Sequence, residues 1–349
     1  MVAAVAGDGR SPGGLWVIHS TIRLIKKVVY SRLFAPHEGL RNLWWGFREN
    51  FYRPLWQGDF IKVELSANCN ARCSFCWMFQ EEMKPSGVMT LENFKKFIEI
   101  NKSDFLKRRV RIQPFFNGEA LTNPHFFEII DAIVSNGVRL ARLDTNLAVK
   151  KDMDRLMSYP WPIVCVNIGG VTKDIHEKVM KTKFEVVVNN LKRIFEIDKK
   201  RVFVKATPIK ENFHQMKLFP DFIRQLGGDP KRLEIGTTGF NTPAIASDHV
   251  MKKFFEEVVS PEVEPYLRFT YDLSKPRFGI KAKRPGCHFL TDCVTYDGKL
   301  TICCQDQFGM LNVGNAFDTP FYELKRSQKY LEHRRTGIDQ KFKMCEECN

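Results

Sequence analysis

Residues 66 to 78 read SANCNARCSFCWM and set Cys69, Cys73 and Cys76 at a Cys-x3-Cys-x2-Cys spacing. Thiolates are soft anionic donors that select zinc or iron–sulfur clusters over hard cations. A structural zinc ion takes four protein ligands in a tetrahedron, and His37 or His125 would have to arrive from far along the chain. Three thiolates in one short loop instead suit a cubane [4Fe–4S] cluster, with three irons ligated and the fourth open to a substrate or cofactor.

Six of the ten cysteines follow residue 286. Cys287 is separated by ten residues from Gly298, which is separated by four from Cys303, and Cys345-x2-Cys348 lies farther on. A four-thiolate set of this kind suits either a structural zinc ion or a further cluster. Cys304 adjoins Cys303, so either can point at a metal. Cys165, Cys293 and Cys304 are left over, and Asp292, Asp297 and Asp306 lie near the tail cysteines as candidate bases. A structural role competes with each of these assignments.

The elements that must position these residues show in the pattern. FIKVELS, RVRIQPFF, VRLARLDT, PIVCVNI, RVFVKAT and KRLEIGTT read as strands. Between them LENFKKFIEI, PHFFEIIDAIVSNG, KDMDRLMSY, FEVVVNNLKRIFEI and FHQMKLFPDFIRQLGG read as helices. Six such alternations predict a parallel sheet covered by helices, doubly wound or closed toward a barrel. In either fold the chemistry collects at the C-terminal ends of the strands, and Cys69 lies just past the first. Ahead of the strands, Ile18, Ile22, Ile25 and Val29 mark an amphipathic helix over Leu15–Phe34, followed by an aromatic, basic segment. That stretch is expected to pack on the main domain or to lie on an anionic membrane surface through residues 15–56.

The chain is 44% hydrophobic and 27% charged with a formal net charge of +14, which excludes a disordered protein and favours anionic partners. The cysteines cluster at metal-ligand spacings, and neither a signal peptide nor an 18-residue apolar run is evident. A cytoplasmic protein, peripheral at the membrane if its first helix binds there, is expected.

The Cys69–Cys73–Cys76 motif, with Phe75 before its last cysteine, resembles the signature of the radical S-adenosylmethionine (radical SAM) superfamily. The resemblance implies a partial (βα)6 TIM-like barrel over roughly residues 60–240. It also implies a [4Fe–4S] cluster whose open iron chelates SAM, and a 5′-deoxyadenosyl radical that abstracts hydrogen from substrate. FFNGEALTNP resembles the segment that holds the SAM amino group, here through Gly118 and Glu119. LDTNLAV resembles a Thr-Asn-Gly segment, giving Asn146, with Leu147 where Gly is common. Asn167 stands where a Ser often approaches the SAM ribose, and Lys205 and Thr207 are placed toward the same cavity. The tail resembles the SPASM extension in its shorter "twitch" form, which implies an auxiliary [4Fe–4S] cluster on Cys287, Cys303, Cys345 and Cys348.

Four segments are expected: an N-terminal extension (1–58), the barrel (59–245), a connection (246–286) and a cysteine-rich auxiliary domain (287–349). The resemblance implies an oxidoreductase or epimerase type of radical enzyme acting on a sugar, aminocyclitol or other natural-product intermediate, or alternatively on a peptide. A spare thiol at Cys165, Cys293 or Cys304, or a base at Asp306, would complete such a reaction, with flavodoxin or ferredoxin as reductant. A non-catalytic metal- or nucleic-acid-binding module is the competing class, and it leaves the barrel motifs unexplained.

Overall fold

The computed structural model describes residues 59–76, 86–236, 266, 290–303, 306 and 308–338. The N-terminal amphipathic helix, the 246–286 connection apart from Tyr266, and Cys287, Cys304, Cys345 and Cys348 lie outside the described residues.

Two sheets form the walls of a partial TIM-like barrel. Strands β1 (Phe60–Val63), β2 (Arg111–Gln113) and β3 (Arg139–Leu140) run parallel in the first. Strands β4 (Leu143–Thr145), β5 (Val164–Ile168), β6 (Val202–Ala206) and β7 (Leu233–Ile235) run parallel in the second. The third predicted strand is thus two strands. Ala141 N still donates to Ile112 O of β2 at 2.8 Å, whereas Leu143 N donates to Ile163 O, beside β5, at 3.0 Å. The chain changes partner across Arg142, and the wall turns there.

Helices α1 (Leu91–Lys107), α2 (Phe126–Ser135), α3 (Met153–Ser158), α4 (Lys173–Met180), α5 (Phe184–Asp198) and α6 (Phe219–Gln225) return the chain between strands. Thr90 caps α1 by accepting from Asn93 N at 3.1 Å, and α1 buries Phe94, Phe97, Ile98 and Phe105 along one face. On α5, Val187, Leu191, Ile194 and Phe195 are buried at the same kind of spacing. Each such side chain contributes about 1.5–3 kcal/mol on full burial. The sequence pattern had shown no helix at α4, because KDIHEKVM offers few apolar residues to mark a stripe.

The tail continues the first sheet. Strand β8 (Leu290–Val294) pairs parallel with β1, setting Lys62 opposite Cys293, and β9 (Leu300–Cys303) pairs antiparallel with β8. Two short helices, α7 (Phe321–Leu324) and α8 (Gln328–Ile338), follow. Asp292 on β8 accepts from Lys325 Nζ at 2.8 Å and from Tyr330 OH at 2.6 Å. Tyr322 OH bonds Asp59, and Asn101 of α1 accepts from Phe321 N at 2.7 Å. Among the described residues no helix is long and apolar enough to cross a membrane.

Candidate functional site

Alternation along the strands divides the walls into two environments. Ile61, Val63, Val164, Val166, Ile168, Val202, Val204 and Ala206 belong to the core under the helices and are at most 2% exposed. The intervening Lys62, Glu64, Cys165, Asn167, Lys205 and Glu234 occupy the opposite face, which lines the barrel interior. One part of that interior is a closed polar network. Asp144 accepts from Gln113 Nε2 at 2.6 Å and from Arg142 Nε at 2.8 Å. Arg142 also lies 3.8 Å from Glu234 and 3.0 Å from Cys165 Sγ. Residues of β2, β4, β5 and β7 are thereby joined across the turn between the two sheets.

The loop carrying Cys69, Cys73 and Cys76 is tethered on three sides. Asn68 O accepts from Glu119 N at 2.9 Å in the loop after β2. Asn70 donates to Ala148 O at 2.7 Å and accepts from Asn146 Nδ2 at 2.8 Å in the loop after β4. Arg72 N and Ser74 N donate to Met180 O and Val179 O, at 3.0 and 2.9 Å, at the end of α4. The Cys73 thiol lies 3.4 Å from the Met180 sulfur, and Cys73 and Phe75 pack on Val179, Met180 and Ile209. The helix that the pattern did not reveal therefore supports the cysteine loop. Its own turn is held by His176, which accepts from Gly169 N at 3.4 Å and bonds Thr182 at 2.9 Å. Burial pushes the His176 pKa down to about 4.

Gly118 sits at φ +34°, and a Cβ there would stand 2.3 Å from Ser66 O and 2.6 Å from Asn68 O. Only glycine lets the β2 loop close onto the cysteine loop. The Glu119 carboxylate is bonded within the chain. Its Oε2 accepts from Asn146 N at 2.7 Å, and its Oε1 accepts from Thr145 Oγ1 at 2.8 Å and Leu121 N at 3.2 Å. Burial raises its pKa to about 7 against the pull of these bonds. Through these oxygens Glu119 ties the β2 loop to the β4 loop. Leu147 explains the departure from Thr-Asn-Gly: it is buried at φ +56°, the left-handed backbone that glycine adopts without strain.

Asn146 Nδ2 lies 3.9 Å from Cys69 Sγ, which brings Asn146 to the cysteine loop. Asn167 and Lys205 are paired in register on neighbouring strands and face the interior together, half-buried. Thr207 lies one strand position beyond Ala206, and its carbonyl accepts from Asn212 Nδ2 at 3.0 Å. Cys165 is an interior thiol that burial pushes up to about 12, and Cys293 is buried opposite Lys62 and likewise raised by burial. Asp306 and Asp292 lie within electrostatic reach of Cys293, and each aspartate is also bonded locally. Asp306 accepts from Thr301 Oγ1, and from Met310 N and Leu311 N at 2.7 and 2.8 Å, so it organises the loop after β9. Asp292 binds α7 and α8 as described above, and Asp297 closes the β8–β9 turn with Thr295 and Lys299. Cys303 ends β9 and is 8% exposed.

Glu64 was not singled out from the sequence, although FIKVELS alternates and sets Lys62 and Glu64 on the face opposite Ile61 and Val63. Its carboxylate accepts from Asn117 N at 3.1 Å and Tyr296 N at 3.2 Å, linking β1 to the β2 loop and to the β8–β9 turn. Burial raises its pKa to about 7.

The donor set fits a cluster better than a lone ion. Burial, then Glu119, pushes Cys69 up to about 12, while burial and the neighbouring Cys76 and Cys69 raise Cys73. The thiols are thus within electrostatic reach of one another, yet among the described residues no three His, Cys, Asp or Glu meet at a single-ion site. Loading must displace protons from them, as thiolate ligation requires.

This loop-and-barrel arrangement defines an iron–sulfur enzyme of the radical SAM type. The chain matches the radical SAM superfamily over residues 63–223 and the SPASM iron–sulfur cluster-binding domain over residues 287–349. It belongs to the radical SAM superfamily. Its cofactors are a [4Fe–4S] cluster with SAM and an auxiliary iron–sulfur cluster in the C-terminal domain.

Among relatives, the GTP 3′,8-cyclase of Vibrio parahaemolyticus serotype O3:K6 is 22% identical over 213 residues, spanning 58% of this chain and 61% of that protein. The chain therefore spans less than two thirds of that relative. The GTP 3′,8-cyclase of Aquifex aeolicus is 24% identical over 313 residues, spanning 81% of this chain and 93% of that one. Among solved structures, anSMEcpe with bound AdoMet superposes with a TM-score of 0.59 at 17% identity, covering 83% of this chain and 84% of that one. Streptococcus suis SuiB bound to S-adenosylmethionine gives 0.58 at 13% identity, covering 96% and 82%. These likenesses establish the fold.

Proposed function

We propose that the chain reductively cleaves SAM and abstracts hydrogen from a carbon of a small-molecule substrate held in the barrel interior. The observation that carries this reading is the three-sided tethering of the Cys69–Cys73–Cys76 loop at the mouth of a polar interior. A [4Fe–4S] cluster with SAM, bound there, supplies a 5′-deoxyadenosyl radical. The protein's own residues do the holding. Gly118 lets two loops meet, and Glu119 fixes the β4 loop so that Asn146 stays beside Cys69. The backbone carbonyls of the β2 loop and the Glu119 carboxylate, beside the cysteine loop, are assigned to the SAM ammonium. Asn167 and Lys205, paired across β5 and β6, are assigned to the SAM ribose and carboxylate. Cys287, Cys303, Cys345 and Cys348 are assigned to one auxiliary cluster, and a flavodoxin or ferredoxin to the reductant.

A small substrate is supported by the polar interior and by the relatives named for a reaction on GTP. A peptide is the second reading, favoured by the likeness to Streptococcus suis SuiB bound to precursor peptide SuiA. Oxidation or epimerisation through Cys165 or Cys293 is an extension of the first reading. Reconstituted protein should release 5′-deoxyadenosine from SAM under anaerobic, reducing conditions, and no release would overturn the proposal.

A further inference from the structure

Lys62 is the third of the four residues of β1, on the interior face, with Gln113 beside it on β2 and Cys293 beside it on β8. The strand ends of such barrels are where substrates sit. Among the described residues no carboxylate lies within ion-pair distance of its ammonium. The interior carboxylates are committed elsewhere. Asp144 and Glu234 face Arg142. Glu64, on the same strand face, accepts from Asn117 N and Tyr296 N. What Lys62 does touch is aromatic: its Nζ lies 5.9 Å from the ring centroids of both Phe115 and Phe116. Aromatic faces orient an ammonium but do not neutralise it. A half-buried cation held in a walled interior without a counter-ion is a receptor for an anion, and its field is strengthened by the low-dielectric walls.

We propose that Lys62 is the contact for an anionic group of the substrate, phosphoryl or carboxylate, on the wall formed by β1, β2 and β8. This rests on the reading of the barrel interior as the substrate chamber. It separates the two interior lysines by task, Lys205 serving the cofactor and Lys62 the substrate.

The test uses the full, cluster-reconstituted chain at fixed ionic strength. Tripolyphosphate and citrate are titrated by calorimetry in separate arms, each with and without SAM. The wild type should bind at least one of the two saturably, and the arm that binds identifies phosphoryl or carboxylate chemistry. Lys62→Gln should weaken that binding about tenfold or more, the loss of one charge-assisted contact. Lys62→Gln should keep SAM affinity within about twofold, and Lys102→Gln, which removes an exposed lysine paired with Glu99, should change nothing. No saturable binding, equal affinity in Lys62→Gln, or equal weakening in Lys102→Gln would overturn the proposal, as would a loss of SAM affinity in Lys62→Gln. Should that variant not fold, mass-spectrometric acetylation of the wild type decides: the bound anion should protect Lys62 but not Lys102, and equal labelling of Lys62 with and without it overturns the assignment. Release of 5′-deoxyadenosine by the wild type is measured in parallel, so a failure of the radical chemistry is distinguished from a failure of this site.

Discussion

Replacing Gly118 by alanine tests the closure between the β2 loop and the cysteine loop. The added Cβ would stand 2.3 Å from Ser66 O, 2.6 Å from Asn68 O and 2.7 Å from the Ala67 carbonyl carbon, all backbone atoms. Ordinary contact for carbon begins at roughly 3.5 Å, so the two loops must separate by about 1 Å. Overpacking of that kind costs about 1–3 kcal/mol, and the left-handed backbone adds about 1–2 kcal/mol for a non-glycine residue. The expected loss is about 2–5 kcal/mol, large against a typical stability of about 5–15 kcal/mol. Because Glu119 N donates to Asn68 O, the separation also loosens the bond next to the cysteines. Gly227→Ala is the control: φ is +87° there and no atom lies within 4 Å of the added Cβ. Urea unfolding, iron content after reconstitution and SAM binding by equilibrium dialysis are the assays. Gly118→Ala should lose stability beyond the control and hold less iron and SAM. If it matches Gly227→Ala in stability and the wild type in SAM affinity, the close approach has no role in assembling the site.

Glu64→Gln should change how stability depends on pH. A carboxyl whose pKa rises from 4.5 to about 7 on folding binds more protons folded than unfolded, so it weakens the fold as pH rises through that window. Relative to Glu64→Gln, the wild type should lose about 2–3 kcal/mol between about pH 5 and pH 8 in urea unfolding, and a pH-independent gap would refute this. Leu147→Gly should relieve about 1 kcal/mol of backbone strain but forfeit about 2–4 kcal/mol of burial, a net loss measurable by the same assay. Cys73→Ala should abolish 5′-deoxyadenosine release, whereas Cys345→Ala should retain part of it while losing iron; equal release from both would contradict the two-site assignment.

The barrel strands were legible because most of them alternate, and the cysteine spacing placed the loop that follows β1, whereas β8 and β9 of the tail were not read as strands. What escaped is set by distant partners. Nothing in VRLARLDT says that Ala141 bonds β2 while Leu143 bonds the β5 side, so one predicted strand became two. Helix α4 was missed because its buried face, His176, Val179 and Met180, includes a histidine and spans barely two turns. The partners of the Glu119 carboxylate, Thr145 and the Asn146 backbone across the interior, were not readable from its own segment. Asp306 was grouped with candidate bases by its nearness to cysteines, and its bonds to Met310 N and Leu311 N depend on a loop shape that the sequence does not display. Lys62 and Glu64 were readable in principle, since a lysine and a glutamate two residues apart in an otherwise apolar strand mark its inner face.

The pairing of β8 with β1 has a consequence for assembly. Glu64 N donates to Val294 O at 2.8 Å, so the first strand of the barrel finishes its hydrogen bonding only with a strand some 230 residues downstream. A chain cut before residue 287 would present β1 as an open edge, with unpaired backbone groups beside the cysteine loop. Such a fragment should self-associate before it can hold a cluster. Strand β8 therefore acts as a latch on the strand that leads into the cysteine loop.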